Sequence, residues 1–153
     1  MDTALEGVEA VYREHGDRLW RAVLAFSGDR EIASDAVAEA FAQVLRRGAE
    51  VRSPQAWVWR AAFRIAGGML KERGRTTVFG DEGSYEMAER ADELVSALRR
   101  LSPKQRASVV LHHYAGYPVK EVASILRSTA PAVRVHLSRG RKRLKEFLES
   151  GDV

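Results

Sequence analysis

The segment from Leu101 to Leu148 limits most strongly what this chain can fold into. It opens with Ser102-Pro103-Lys104-Gln105, a helix capping box with proline at the first helical position. Two short predicted helices follow, over 103–114 and 118–126, and Thr129 then caps a longer third one. This order of elements is the outline of a helix-turn-helix motif, whose last helix lies in the major groove of DNA.

Charge is distributed unevenly along the chain. Residues 1–73 carry 11 basic and 11 acidic side chains (net 0), residues 74–96 carry 2 and 6 (net −4), and residues 97–153 carry 12 and 4 (net +8). A basic block at one end is typical of a nucleic-acid footprint, because cations neutralise phosphates. Charge alone would favour an ordinary solvated helix, so the prediction of a nucleic-acid footprint depends on the helix-turn-helix motif.

The amino-terminal part is predicted to be helical as well, because apolar residues recur at spacings of three and four and no alternating strand pattern occurs. We expect helices over 5–26, 30–47 and 54–73, with Asp29 and Ser53 as N-caps. The predicted inward positions are Val8, Val11, Tyr12, Leu19, Val23, Phe26, Ile32, Val37, Ala40, Phe41, Val44 and Leu45, and in the last helix Val133, Leu137, Leu144 and Leu148.

The predicted fold class is therefore all-α, with two small helical domains. The first spans 1–73 and the second, which holds the helix-turn-helix, spans 86–153. Residues 74–85 contain three glycines and little periodicity, so they are predicted to form a flexible linker.

Several function classes find no support in the sequence. There is no cysteine, and no apolar run approaches the roughly 20 residues that span a bilayer. The amino terminus does not resemble a secretory signal, so a cytoplasmic location without membrane insertion is expected. His112 and His113 point about 100° apart on a helix, which is poor geometry for one metal ion. We predict no enzyme, no catalytic residues, no metal and no cofactor, since phosphate-loop and nucleophile motifs are missing.

Several ordered motifs resemble those of a known family. Tyr12-Arg13-Glu14-His15, Ser34 to Phe41, and Pro54-Gln55-Ala56-Trp57-Val58 through Ile65-Ala66 resemble segments of sigma region 2. Leu101-Ser102-Pro103, Glu121-Val122-Ala123 and Ala132-Val133-Arg134 through Arg139 resemble sigma region 4. In their order and spacing, the motifs identify the chain as similar to bacterial RNA polymerase sigma factors of the extracytoplasmic-function (ECF) group of the sigma-70 family.

The resemblance implies a transcription initiation factor that binds core RNA polymerase and directs it to promoter DNA. Region 2 would bind polymerase and melt the −10 element, and region 4 would bind the −35 element. An anti-sigma factor is a further candidate partner. The helix that carries Asp35 and Glu39 presents both carboxylates on one face, and with Gln43 these residues are the predicted polymerase contacts.

Melting requires aromatic rings that stack on bases and cations that hold the displaced strand. Trp57 and Trp59, two residues apart on a helix, cannot both face the core, and Trp57 occupies the position that the family usually packs. The loop 48–53, with Glu50 and Arg52, matches the place where the family captures a base. The predicted −10 contacts are Arg52, Trp59, Arg60, Arg64, Lys71 and Arg73.

The first two turns of the last helix are expected to enter the groove. Arg134 is the preferred base contact, since arginine can pair bidentately with guanine. The predicted −35 contacts are Thr129, Ala130, Pro131, Ala132, Arg134, Val135 and Ser138, with Arg139, Arg141, Lys142 and Arg143 as phosphate contacts.

The sequence departs from the family pattern at a few positions: Ala38, Gly67-Gly68, Arg127 and Ser128. Two alternatives therefore stay open. One is a sigma-like interaction module that binds polymerase or a regulator without opening promoters. The other is a plain helix-turn-helix regulator that binds duplex DNA without polymerase.

Overall fold

The computed structural model describes residues 3–76 and 89–150, and in these two ranges the chain is helical nearly throughout. The seven α-helices are α1 (Thr3–Ser27), α2 (Arg30–Arg47), α3 (Pro54–Thr76), α4 (Glu89–Arg99), α5 (Pro103–Val109), α6 (Val119–Leu126) and α7 (Ala130–Ser150). A 3₁₀ turn, Gly48–Glu50, links α2 to α3, and a π-helical turn, Val110–Tyr114, extends α5. The all-α prediction is confirmed for these residues.

Side-chain caps begin the helices where the sequence predicts them. Asp29 accepts a hydrogen bond from the Ile32 amide, at 2.9 Å, at the start of α2. At the start of α5 the Ser102 hydroxyl accepts from the Gln105 amide, and the Gln105 side chain accepts from the Ser102 amide. Each cap satisfies donors that the first helical turn leaves unpaired.

The helices α1, α2 and α3 pack together as the first module. Leu19, Val23 and Val44 are fully buried between them, as predicted. Tyr12 and Leu45, also predicted inward, are 62% and 47% exposed, so those two predictions are wrong. The Tyr12 ring lies edge-on against Phe41, with ring centroids 5.3 Å apart, and keeps most of its surface exposed to solvent.

The helices α4 to α7 form the second module, in which Val122, Val133 and Leu137 are buried. Gly140 lets α7 approach α5 closely, since a Cβ at this position would lie 2.9 Å from a Val109 methyl carbon. Leu148 is 47% exposed near the end of α7, so its predicted inward position is wrong.

The boundary between the modules differs from the prediction at its first residues. The helix α3 continues to Thr76, three residues beyond the expected end at Arg73, so the predicted linker begins inside a helix. The rest of that linker lies outside the described residues. Within 3–76 and 89–150, no helix is both long and apolar enough to cross a bilayer.

The two modules pack against each other. Arg60 on α3 donates to the Ser124 hydroxyl on α6 at 2.9 Å, and Arg18 on α1 donates to the Tyr114 carbonyl at 2.9 Å. Arg106 on α5 donates to the Phe26 carbonyl at 2.6 Å. We refer to this set of contacts as the module interface. It joins the second module to both α1 and α3.

The ring of Tyr117 lies at the centre of the module interface. It contacts Trp59 edge-on, with ring centroids 5.2 Å apart, and its hydroxyl lies 3.4 Å from the Gln55 amide nitrogen. Burial raises the pKa of the Tyr117 hydroxyl, which stays a neutral phenol at physiological pH. The turn that precedes α6 thus presents an aromatic ring to the first module.

Candidate nucleic-acid interface

The amino-terminal half of α7 is an exposed basic surface. Arg134, Ser138 and Arg139 are exposed, whereas Val133 and Leu137 hold the opposite side of the helix in the core. The Thr129 hydroxyl accepts from the Ala132 amide at 3.2 Å and so fixes the first turn. Of the eleven predicted −35 contacts, Ala130 and Ala132 are half-buried and the others are exposed: Thr129, Pro131, Arg134, Val135, Ser138, Arg139, Arg141, Lys142 and Arg143.

The eleven residues do not share one face, because α7 turns by about 100° per residue. Arg134 and Arg141, seven residues apart, lie on the same side of the helix. Arg141 approaches His113, with 3.4 Å between the nearest side-chain nitrogens, and borders an apolar groove that also includes Leu94 and Leu148. Arg141 lies two turns beyond Arg134, so it is further from the amino terminus of α7.

The turn before α7 has an unusual backbone. Arg127 adopts φ 54° and ψ 47°, and it is the one described non-glycine residue with positive φ. Its amide caps α6 by donating toward the carbonyls of Ala123 and Ser124. A left-handed conformation at a residue with a Cβ costs about 1 kcal/mol, which glycine would avoid.

The predicted polymerase contacts form a bonded cluster on α2. Glu39 accepts from the Gln43 amide at 3.1 Å and from Arg46 at 3.0 Å. These hydrogen bonds, Gln43's first, lower the pKa of the Glu39 carboxyl, so the face stays anionic at neutral pH. Asp35 is exposed one turn earlier on the same helix.

A second concave site lies where the 48–53 loop meets α3. Its walls enclose about 250 Å³ and include Trp57, Arg47 and Arg52. The Arg47 guanidinium lies 5.7 Å from the centroid of the Trp57 ring, within cation–π range. Glu50 and Arg60 also line it. An aromatic face beside several cations is the arrangement that stacks a base and holds its phosphate.

Trp59 does not have its expected position, whereas Trp57 packs against the core as expected but keeps part of its ring exposed. Trp59, predicted as the stacking platform, is 1% exposed and packs between Phe63 and Tyr117. Trp57, predicted to be packed, is partly exposed at the concave site. In this arrangement Trp59 offers no face to a base, because the module interface covers its ring.

The remaining predicted −10 cations differ in their surroundings. Arg64 and Lys71 are exposed and line a cavity between the modules. Arg73 pairs with the Asp29 carboxylate at the start of α2. Arg52 is exposed at the concave site.

Several residues that the fold brings to these surfaces carry no clear signal in the sequence. Arg47, in the last turn of α2, covers Trp57, but a cation ten residues before an aromatic ring is too weak a sequence signal to predict this contact. His112 has a structural role, since its Nδ1 lies 2.7 Å from the Tyr117 carbonyl oxygen. A carbonyl only accepts, so Nδ1 carries the proton and holds the turn.

The fold and these surfaces define a two-module helical protein with a basic helix-turn-helix in its second module. Residues 91–144 match the family model described as sigma-70, region 4. The chain is 26% identical over 161 residues to the ECF RNA polymerase sigma factor SigE of Mycolicibacterium smegmatis, covering 95% of this chain and 63% of that protein. It is 40% identical over 73 residues to the RNA polymerase sigma-E factor of Streptomyces avermitilis, covering 48% of this chain and 40% of that protein.

The fold is also that of a solved sigma factor. The Bartonella quintana sigma factor RpoE, crystallised with the anti-sigma factor NepR, has a TM-score of 0.72 at 19% identity, with 92% of this chain and 96% of that chain covered. The chain is therefore similar to ECF sigma factors in sequence, and residues 91–144 match sigma-70 region 4. It spans between two fifths and about three fifths of the length of the two curated relatives above.

Proposed function

We propose that the chain is a transcription initiation factor that binds core RNA polymerase and directs it to specific promoters. The observation that carries this proposal is the presence on one chain of two separate surfaces whose chemistry suits nucleic acid. One is the exposed basic side of α7, and the other is the concave site of Trp57 and Arg47. A simple duplex-binding regulator needs only the first. The proposed role is recognition rather than catalysis, and it places the protein in the cytoplasm with polymerase and DNA.

The two surfaces suit different forms of DNA. The first turns of α7 carry Arg134 and a threonine-capped amino terminus toward solvent, which suits the major groove of the −35 duplex. The concave site offers a ring and cations, which suits an unpaired base of the −10 element. Its volume of about 250 Å³ lies just below the usual range of small-molecule sites, as expected for a single base.

Promoter recognition requires the modules to separate. The numbering of the −10 and −35 elements places them about 25 base pairs apart. At 3.4 Å per base-pair step, this distance is about 85 Å. A compact chain of 153 residues has a radius of gyration of about 15 Å. The packed arrangement therefore cannot reach both elements at once, and we infer that polymerase binding opens the module interface.

We propose two protein partners for the chain. The anionic cluster of Asp35, Glu39 and Gln43 on α2 is the proposed contact with core polymerase. An anti-sigma factor is the proposed regulator, by analogy with the solved RpoE–NepR complex.

The test is in vitro transcription with core RNA polymerase on a promoter library, combined with permanganate probing for unpaired thymines. We expect transcripts and a permanganate-reactive bubble that depend on this protein. Arg134→Ala is expected to reduce initiation, and Lys120→Gln, which changes an exposed cation that is not among the proposed contacts, is the control.

The second candidate function is an interaction module that binds polymerase without opening DNA, favoured by the burial of Trp59 and the engagement of Arg60. Co-purification with core enzyme without a reactive bubble on any template would support it and would contradict the initiation role. A footprint on duplex DNA without polymerase would instead favour the plain regulator.

A further inference from the structure

A cavity of about 520 Å³ lies between the modules, beside but separate from the concave site of Trp57. One wall is the α3 segment around Gly67. The other comprises the start of α5 and the turn between α6 and α7. This volume lies within the range of about 300–1,000 Å³ that is typical of small-molecule sites.

The walls of the cavity combine cations with an apolar floor. Arg64 and Lys71 come from the first module, and Lys104 and Arg127 from the second. None of the described residues that line the cavity is acidic. The floor is made of Phe26, Phe63, Leu70, Ile125 and Leu126.

The pKa of His136, which also lines the cavity, reflects the positive charge around it. Burial, together with the charges of Lys104 and Arg139, lowers the pKa of the His136 imidazole. The ring is therefore neutral at physiological pH, because adding another cation there is unfavourable. Positive charge is already concentrated beside the cavity with no acidic group among its lining residues.

Three residues that line this cavity have an unfavourable helix propensity or backbone conformation at their positions. Gly67 and Gly68 lie inside α3, where each costs about 1 kcal/mol relative to alanine, yet a Cβ at either position would meet nothing within 4 Å. Packing thus gives no reason for glycine there, and both positions leave space in the cavity. Arg127 is held in a left-handed conformation that glycine would adopt more easily. Residues that violate local preferences tend to cluster where function requires them.

We propose that this cavity binds a small anionic molecule with an apolar portion. The apolar portion would lie against the half-buried Leu70 and Leu126, and the anionic group would be held by Lys104 and Arg127. A protein helix is a poorer fit. A helix about 10–12 Å across would fill 520 Å³ with only about one turn.

A ligand at this site contacts both modules, so it stabilises their packed arrangement by mass action. It also engages Arg64 and Lys71, which belong to the predicted −10 surface. If the proposed initiation role holds, the ligand is an inhibitor of promoter binding. Binding itself requires nothing of that role, so the two can be tested separately.

The test uses the full-length chain and the fluorescent probe 1-anilinonaphthalene-8-sulfonate, which joins an anionic sulfonate to aromatic rings. Gly67→Leu places a side chain in the cavity and should weaken probe binding about tenfold or more. Arg127→Gly removes a cation but relieves the backbone, so it should weaken binding about fivefold while the melting temperature stays equal or rises.

Two control variants separate this cavity from other surfaces. Lys120→Gln removes an exposed cation elsewhere on α6, and Leu148→Gln alters the apolar groove beside α7. Both should leave probe affinity unchanged. Affinity that Leu148→Gln lowers and Gly67→Leu does not would overturn the proposal, since the probe would then occupy the other groove. Unchanged affinity in Arg127→Gly would overturn the assignment of an anionic ligand.

Discussion

Arg60 on α3 donates a hydrogen bond of 2.9 Å to the Ser124 hydroxyl on α6, so a cation of the predicted −10 surface is held by the opposite module. Among the described residues, neither the Nε of the same guanidinium nor Nε1 of the neighbouring Trp59 has a hydrogen-bond partner, and both atoms are buried. A buried donor left unpaired costs about 1–3 kcal/mol. The module interface thus combines close packing with unsatisfied polar groups, which suits a contact that opens during function.

Replacing Tyr117 with alanine is expected to shift the protein toward separated modules. The change removes the ring that covers Trp59 and exposes the α3 side of the interface. Loss of such an aromatic contact typically costs about 3–5 kcal/mol in a core, and less at a boundary that water can enter. The chain has no cysteine, so two dyes can be placed at introduced cysteines, one on each module, and energy transfer between them measured.

Tyr117→Phe is the matched control for that experiment. It keeps the ring and removes a hydroxyl whose nearest partner, the Gln55 amide nitrogen, is 3.4 Å away, so energy transfer should stay near that of the unmodified chain. Equal transfer efficiency in all three proteins would show that Tyr117 does not hold the modules together.

The two tryptophans are expected to respond oppositely to substitution. Trp59→Ala removes a fully buried ring and should lower the free energy of unfolding by about 3–5 kcal/mol. Trp57→Ala should cost much less stability but weaken binding of single-stranded −10 DNA by about 1–3 kcal/mol, because its ring lines the concave site. Denaturant melts and fluorescence anisotropy measure the two quantities. The opposite pattern would restore the assignment predicted from the sequence.

The sequence predicts the helices well, because caps and periodicity are local signals. Asp29, Ser102 and Thr129 all cap the helices that follow them. Periodicity identifies a helix face but not how far its neighbour covers it, which is why Tyr12 and Leu148 were placed inside.

The module interface and the inter-module cavity could not be predicted in the same way. Tyr117 and Trp59 are 58 positions apart along the chain, and nothing local in either segment indicates that the rings meet. The same holds for Gly67 and Arg127, whose shared cavity depends on how the two modules pack. Sequence patterns thus predict the basic helix α7, whereas the contacts between modules depend on the fold.

Two glycine substitutions should have opposite effects on stability. Gly140→Ala places a Cβ 2.9 Å from a Val109 methyl carbon, so α5 and α7 must separate, at a cost of about 1–3 kcal/mol. Gly67→Ala meets nothing within 4 Å and improves helix propensity, a gain of about 0.5–1 kcal/mol. Thermal unfolding of the two variants tests this, and a destabilised Gly67→Ala would mean that α3 needs a glycine there.

Asp29 is expected to make stability depend on pH in the acid range. Burial tends to raise the pKa of its carboxyl, but the hydrogen bonds from Arg73 and the Ile32 amide outweigh this and lower it. A carboxyl whose pKa is lower in the folded state contributes stability above its ordinary pKa of 3.8, and this contribution is lost as the pH falls through the folded value.

Asp29→Asn keeps a good N-cap but loses the ion pair with Arg73, so it should be less stable by about 1 kcal/mol at neutral pH. The difference from the unmodified chain should shrink as the pH is lowered below 3.8. Asp29→Ala should cost about 1 kcal/mol more because the cap is lost as well. Urea melts at several pH values provide the comparison, and a difference independent of pH would exclude the carboxylate as its source.

Arg134 and Lys142, both on α7, are expected to contact different parts of the DNA: Arg134 a base and Lys142 a phosphate. Arg134 is exposed in the second turn, where a side chain can reach base edges, so Arg134→Ala should lower discrimination at one base pair of the −35 element by about 1–3 kcal/mol. Lys142 is exposed further along, so Lys142→Ala should weaken binding to every duplex alike and reduce the slope of log affinity against log salt by about one. Anisotropy titrations on matched and single-mismatch duplexes over a salt series separate the two roles. If both variants lost affinity equally on all duplexes, Arg134 would be a phosphate contact and base reading would have to lie elsewhere on the helix.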